Sequence, residues 1–421
     1  MNFFFINRNF FSMWLSQLSS ILSGRLRELV IPLLVLGMTH SPLTAGLVAL
    51  SQQIGVILFA IPVGTWMEQK NKRIVMVITK FLSTICMFIL AFLVFQNYIN
   101  SLLIAFLLFF MGILGLFSST AFNVMIPAVA GRKNLINAHT SLEGADAVST
   151  LVGPILAGFL FAKMGASFTL LICSILSVIS LIFIYIVRYE EQVNTVSDKS
   201  LSIKEKMIDF SKRSSEGFKY LFANFSQIIS TISICVLGFT TVFIPLTVVI
   251  HANNTLNLSP ELTGLLLSFA GVGNIIGVVI LKWFKNPNWI PFLSILLLVS
   301  ATGIFLVMIT SELWLSCLGM FLFDGALSMA FVIQAAVHQG VTPDEALSRI
   351  RSATYVLGGL IAMFASFLSG AIAQYASTTI ALGLGIIVLI ISAIYIIRYR
   401  NHSVKIDKLE PIYLEKKELA N

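Results

Sequence analysis

Gly24-Arg25-Leu26-Arg27-Glu28 lies in the middle of an apolar run from Phe10 to Gly37. A run of this length reads as a membrane-crossing helix, since ~20 residues at 1.5 Å each cross the hydrocarbon. Three charges near its centre cost ~2.5–3.5 kcal/mol each on insertion scales. Such charges are tolerated when they face a bundle interior or a watery cavity and find partners there. The stretch therefore predicts a helical bundle arranged around a polar chamber.

The rest of the composition agrees. The 421 residues are 57% hydrophobic and 11% charged, with a mean hydropathy of +0.93, whereas soluble domains carry about 25% charged residues. The apolar stretches are too long for the alternating strands of an outer-membrane barrel, so the expectation is an all-α integral membrane protein. The net charge of +8 does not point to nucleic acid, because the basic residues fall between the apolar spans. Cys86, Cys173, Cys235 and Cys317 all lie inside spans without CxxC spacing, which fits packing thiols and neither disulfides nor a metal site. No cleavable signal peptide is expected, because the run from Phe10 is too long for one.

Twelve spans are predicted, roughly 10–37, 44–66, 74–95, 101–121, 138–162, 168–188, 228–250, 262–284, 289–310, 313–334, 352–374 and 378–398. One set of alternate loops, with both tails and the adjoining span ends, holds 23 of the 27 Lys and Arg residues. The opposite loops hold only Lys163, and Arg25, Arg27 and Lys80 lie within spans. The positive-inside rule then puts both termini in the cytoplasm of a multi-pass cell-membrane protein. The Ser-, Lys- and Glu-rich connection 189–227 reads as a cytoplasmic linker with a surface helix near 203–222. It separates a six-helix half, 1–188, from a second, 228–398, and 399–421 forms a tail. Gly64 before Lys72-Arg73 and Gly277 before Lys282 and Lys285 recur at a shift of 213 residues, as a duplicated six-span unit predicts.

Gly64-Thr65-Trp66-Met67-Glu68-Gln69-Lys70-Asn71-Lys72-Arg73 follows the second span. It resembles the loop motif of the major facilitator superfamily: a glycine, an acid four residues on, then a basic cluster. Gly153-Pro154-Ile155-Leu156-Ala157-Gly158 in span five is similar to the Gly-Pro motif of that superfamily's antiporters, with Ser149 where an upstream glycine is usual. Glu216-Gly217-Phe218-Lys219-Tyr220, Gly271-Val272-Gly273-Asn274-Ile275-Ile276-Gly277, and Pro343-Asp344-Glu345 with Arg349 add to the likeness. Together these resemble the drug:proton antiporter branch, which contains macrolide-efflux and enterobactin-exporter-like proteins. The resemblance implies twelve transmembrane helices in two six-helix halves working by alternating access. It also implies that Gly64, Glu68, Lys72, Arg73, Gly153 and Pro154 serve the conformational change.

Four acids lie within spans: Glu28, Glu143, Asp146 and Asp324. At ~100° per residue, His139, Glu143, Asp146, Thr150, Gly153 and Ala157 share a stripe of span five. In span one Gln17, Ser20, Gly24, Arg27 and Glu28 share a sector, with Arg25 to its side. Arg25 or Arg27 can therefore pair with Asp146 or Glu143, about 7 Å apart along the membrane normal. A carboxylate that takes a proton would release its arginine to hold substrate, which couples proton entry to substrate exit. Glu143, Asp146, Glu28 and Asp324 are thus the proton-coupling candidates, and Arg25, Arg27 and Gln17 the substrate-binding ones.

Motifs for nucleotide binding, metal-dependent hydrolysis and nucleophilic catalysis are missing from the sequence. The expectation is a monomeric secondary transporter without cofactor, whose partners are the bilayer, protons and a small molecule. Export of an amphipathic drug such as a macrolide follows from the branch resembled. Export of an anionic, siderophore-like metabolite follows from Arg25 and Arg27, because guanidinium forks suit oxyanions. Proton-coupled uptake, or a non-transporting protein on the same fold, would use the same residues.

Overall fold

The computed structural model describes residues 6–67, 70–131, 134–189, 205, 208, 221–222, 225–281, 283–284, 287–342 and 344–405. Most of the predicted linker, its surface helix and the Glu216–Tyr220 motif lie outside them. Eleven α-helices account for nearly all the described residues: α1 Arg8–Thr39, α2 Pro42–Met67, α3 Lys72–Phe95, α4 Ser101–Ala130, α5 Leu135–Ile186, α6 Phe225–Asn254, α7 Pro260–Leu281, α8 Trp289–Ile309, α9 Leu313–Gly340, α10 Asp344–Tyr375 and α11 Thr378–Ile397. An isolated bridge between Asn288 and Lys405 is the only β pairing among them.

Local chemistry sets the ends. Asn7, Asn71 and Ser377 cap α1, α3 and α11 by accepting from the backbone N–H of Phe10, Ile74 and Ile380. His40 closes α1 with a φ of 50° and donates its backbone N–H to the Leu36 carbonyl at 2.8 Å. Ten of the helices are long and apolar enough to cross a membrane. α1 falls outside that group because of its charges and serines, yet its 32 residues are ample for a crossing. α5, at 52 residues, is too long for one span and breaks at Gly165, whose φ of 80° and ψ of 174° leave the helical region. That φ suits a residue without Cβ. Counting α1 and both arms of α5 gives the twelve spans expected from the sequence.

Contacts along α1 show how α5 folds. Ser16 meets Ser180 and Ser23 meets Cys173, so the second arm, 166–186, runs antiparallel to α1. Trp14 Nε1 donates to the Ser141 carbonyl at 2.9 Å, and Arg25 lies against Gly153, so the first arm, 135–164, runs parallel. The two arms are a hairpin turned at Gly165, with α1 packed along both.

The chain forms two compact units. The first holds α1–α5 together with residues 257–268, the start of α7. The second holds α6, the remainder of α7 and α8–α11. The second repeats the wiring of the first. Gln227 donates to Thr342 Oγ1 at 2.7 Å, and Thr247 meets Ser369 at 2.9 Å, which sets α6 parallel to α10. His251 Nδ1 meets Thr378 Oγ1 at 2.8 Å, and Ile244 abuts Gly385, which sets α6 antiparallel to α11. In each unit a leading helix thus lies between a parallel and an antiparallel partner, as an internal duplication requires.

Hydroxyls join the α1–α5 seam. Ser12, Ser16, Ser19 and Ser23 are all buried and recur at helical spacing. Ser16 Oγ donates to the Ser180 carbonyl at 2.8 Å, and Ser180 Oγ returns a bond to the Ser16 carbonyl at 2.7 Å. Interhelical bonds of this kind contribute ~0.6 kcal/mol on average and up to ~1.7. Ser16→Ala and Ser180→Ala are each expected to lower the unfolding free energy by about 1 kcal/mol, with a favourable coupling in a double-mutant cycle. A coupling of zero would mean that the two hydroxyls act separately.

Candidate functional site

The charged centre of α1 turns in two directions. Arg25 faces the first arm of α5, where its guanidinium lies between two carboxylates. Nη1 donates to Glu28 Oε2 at 3.1 Å, and Nη2 to Asp146 Oδ1 at 3.2 Å. Among the described residues, the ion pairs within 4.0 Å both belong to Arg25. The Arg25 side chain is 31% exposed and that of Asp146 45%, so the cluster is not sealed inside the unit. Gly153 makes this meeting possible: a Cβ there would stand 2.5 Å from the Cβ of Arg25. The Gly-Pro segment of span five therefore seats the ion pair.

Arg27 does not join the cluster. Two residues along a helix turn ~200°, so its Nη1 points instead to the thioether sulfurs of Met87 on α3 and Met111 on α4, each at 3.9 Å. Of the pairings open to Arg25 or Arg27 with Asp146 or Glu143, the one formed is Arg25 with Asp146, and Arg25 also meets Glu28. Of the two acids on the span-five stripe, Asp146 takes the pair and Glu143, one turn earlier, is exposed. Gln17 is half-buried on α1, beside the serine seam. His139 lies in the first turns of α5.

The Gly-Pro segment makes a second close approach. A Cβ on Gly158 would strike the Pro260 carbonyl, and one on Gly264 would strike the Pro154 carbonyl. The start of α7 thus crosses the first arm of α5 backbone to backbone, within the first unit.

The loop motif is described only in part. Gly64 lies in the last turn of α2, and Glu68 falls outside the described residues. Lys72 opens α3, where Asn71 caps the helix. Arg73 Nη2 donates to the Tyr185 carbonyl at 2.6 Å, with its guanidinium carbon 5.8 Å from the Tyr185 ring centre. The basic end of the motif therefore ties α3 to the second arm of α5 in this unit.

Asp324 belongs to the second unit, half-buried on α9. Its neighbours carry close contacts. Gly273 of α7 abuts the Phe321 carbonyl, and Gly277 abuts that of Gly325. Ser300 donates to the Phe323 carbonyl at 3.1 Å. The glycine-rich run of span eight therefore frames the turn that carries Asp324.

Lys80 was not read from the sequence as a site residue. It is only 8% exposed, in the interior of the first unit on α3. The signal was present, because Lys80 joins Arg25 and Arg27 as a basic residue within a span.

The model of the Major Facilitator Superfamily matches residues 10–366. The chain belongs to the major facilitator superfamily. Solved structures of superfamily-like fold agree with that membership. A bacterial homologue of the iron transporter ferroportin, in an inward-facing state, is 16% identical with a TM-score of 0.71; the match covers 93% of this chain and 98% of that one. The nucleoside transporter NupG is 13% identical with a TM-score of 0.66, covering 92% and 99%. A bacterial metal transporter is 14% identical with a TM-score of 0.67, covering 94% and 99%. No curated protein sequence matches the chain. At these identities the likeness is one of fold.

Proposed function

We propose that this protein is a proton-coupled exporter of the bacterial-type cell membrane, with both termini in the cytoplasm, acting as a monomer by alternating access. The observation that carries the reading is Arg25 held between Glu28 and Asp146. One guanidinium between two carboxylates is a set that a single proton rearranges, because protonating either acid weakens its hold and frees donors of the arginine. Proton entry from outside would loosen the cluster, and deprotonation toward the cytoplasm would close it again. Asp324 is the candidate for a second proton site in the other unit, and Glu143 the alternate acid in the first.

An anionic, siderophore-like metabolite is the substrate class that best suits three basic side chains inside one unit. The same charges disfavour a bare metal cation as cargo. The second reading, an amphipathic drug such as a macrolide, is favoured by the sequence resemblance to the drug:proton antiporter branch. A deletion strain separates the two. Unchanged drug sensitivity with lost secretion of an anionic metabolite supports the first reading, and heightened drug sensitivity alone supports the second. Purified protein in liposomes with an imposed pH gradient tests the transport reading itself. Substrate-dependent proton flux is expected; its absence for every candidate would favour a non-transporting role, and flux with inward accumulation would favour uptake.

A further inference from the structure

Arg27 and Lys80 are the two basic side chains of the first unit's interior that the Arg25 cluster does not use. Arg27 presents its Nη1 to two thioether sulfurs at 3.9 Å, and sulfur is a weak acceptor that leaves a guanidinium poorly satisfied. Lys80 is buried on α3. The threonines beside it spend their hydroxyl protons on α3 itself: Thr79 on the Val75 carbonyl at 2.9 Å, Thr84 on that of Lys80 at 2.8 Å. Among the described residues, neither cation has a carboxylate within 4.0 Å.

The two cations share a wall. Lys80, Thr84 and Met87 recur at i, i+4 and i+7, so they lie on one stripe of α3, and all three are buried. Arg27 touches the end of that stripe at Met87. Lys80 and Met87 are about 10 Å apart along the helix, a gap that two long, flexible basic side chains can close onto one multi-atom anion. A buried charge is retained where a counter-charge compensates it.

We propose that the first unit holds an anion between Arg27 and Lys80, with a carboxylate or phosphate group as the fitting chemistry. The ligand is either the anionic head of the cargo or a small inorganic anion taken up from solution. The site deepens the anionic-substrate reading, and it rests on that reading only for the first of these two sources. It also separates two tasks: the Arg25 cluster handles protons, and Arg27 with Lys80 handles the anion.

The test is thermal unfolding of the purified full-length protein in detergent, titrated with inorganic phosphate, citrate or chloride at constant ionic strength set by a bulky sulfonate. A ligand that binds only the folded state raises Tm, by about 3–5 °C at ~100-fold excess over Kd. We expect a saturable rise that disappears in Lys80→Met and in Arg27→Met, survives in Lys80→Arg, and is unchanged in Lys163→Gln, whose residue is exposed beside the α5 turn. A dominant effect of inorganic phosphate identifies a small inorganic anion, and a dominant effect of citrate identifies the carboxylate head of a cargo. A rise with chloride alone overturns the oxyanion site. Without added anion, Lys80→Met should be at least as stable as wild type, since an uncompensated buried charge has been removed. The proposal is overturned if no anion raises Tm, if the rise persists in both methionine variants, or if Lys80→Met is strongly destabilised without anion. The last result would assign Lys80 a structural carboxylate partner. Because this readout needs no proton gradient, a failure here is distinct from a failure of proton-coupled flux.

Discussion

Asp146→Asn is expected to abolish proton-driven transport while leaving the protein folded. The substitution keeps the side-chain size and its carbonyl oxygen toward Arg25, but removes the charge and the capacity to titrate. Loss of a proton-handling group costs on the order of 10²-fold or more in rate. The stability cost should be small, because the pair is partly exposed and such pairs contribute ~0–1 kcal/mol. Substrate-dependent proton flux in liposomes should fall to background, with expression and Tm near wild type. Exchange of substrate down its own gradient should persist, since that process needs no net proton movement. Glu28→Gln should reproduce the defect in weaker form, because Glu28 is the more exposed partner, at 64%. Wild-type flux from both variants would move coupling to Glu143 or Asp324, or end the relay.

The second large effect is steric. Gly153→Ala places a Cβ 2.5 Å from the Arg25 Cβ, which no rotamer change relieves. α1 and the first arm of α5 must separate, at ~1–3 kcal/mol for overpacking, and Arg25 is carried away from Asp146. Gly144 on the same arm is the internal control, since a Cβ there meets nothing within 4 Å. Gly144→Ala should be neutral or slightly stabilising through helix propensity, whereas Gly153→Ala should lower Tm and transport together. Equal behaviour of the two alanine variants would show that the close approach is not needed. Gly158→Ala and Gly264→Ala, which oppose backbone carbonyls, should resemble Gly153→Ala in stability but leave the Arg25 cluster in place.

Much of this was legible in the sequence because the membrane imposes strong rules. Apolar length gave the spans and basic residues their separation, so the all-helical twelve-span fold and the superfamily followed from composition, spacing and motif. The partnership of Arg25 with Asp146 was anticipated only as one of several pairings. A helical wheel gives the direction of a side chain on its own helix, but not which neighbour stands there; that depends on the register of α1 against α5, which Trp14–Ser141 and Arg25–Gly153 contacts fix. The same limit left Arg27 an equal candidate for that pairing. The serine seam was invisible for a different reason: serines are common in membrane helices, and nothing local marks Ser16 and Ser180 as reciprocal partners. Lys80 was within reach, but a lone lysine near a cytoplasmic span end reads as topology until its burial is known.

The distance along the chain between Arg25 and Asp146 has a consequence for how the protein is made. The partners are 121 positions apart, so at ribosomal speed Asp146 emerges about 6–24 s after Arg25. The second-arm residues that bond Ser16 and Ser23 emerge later still, at separations of 164 and 150. During that interval α1, the span with the weakest apolar claim on the bilayer, carries Arg25 without the Asp146 carboxylate that meets it from α5. Its final seat in the membrane is therefore assembled late, when the α5 hairpin closes along both of its sides. Variants that weaken this hairpin should strand the first helix before any question of transport arises.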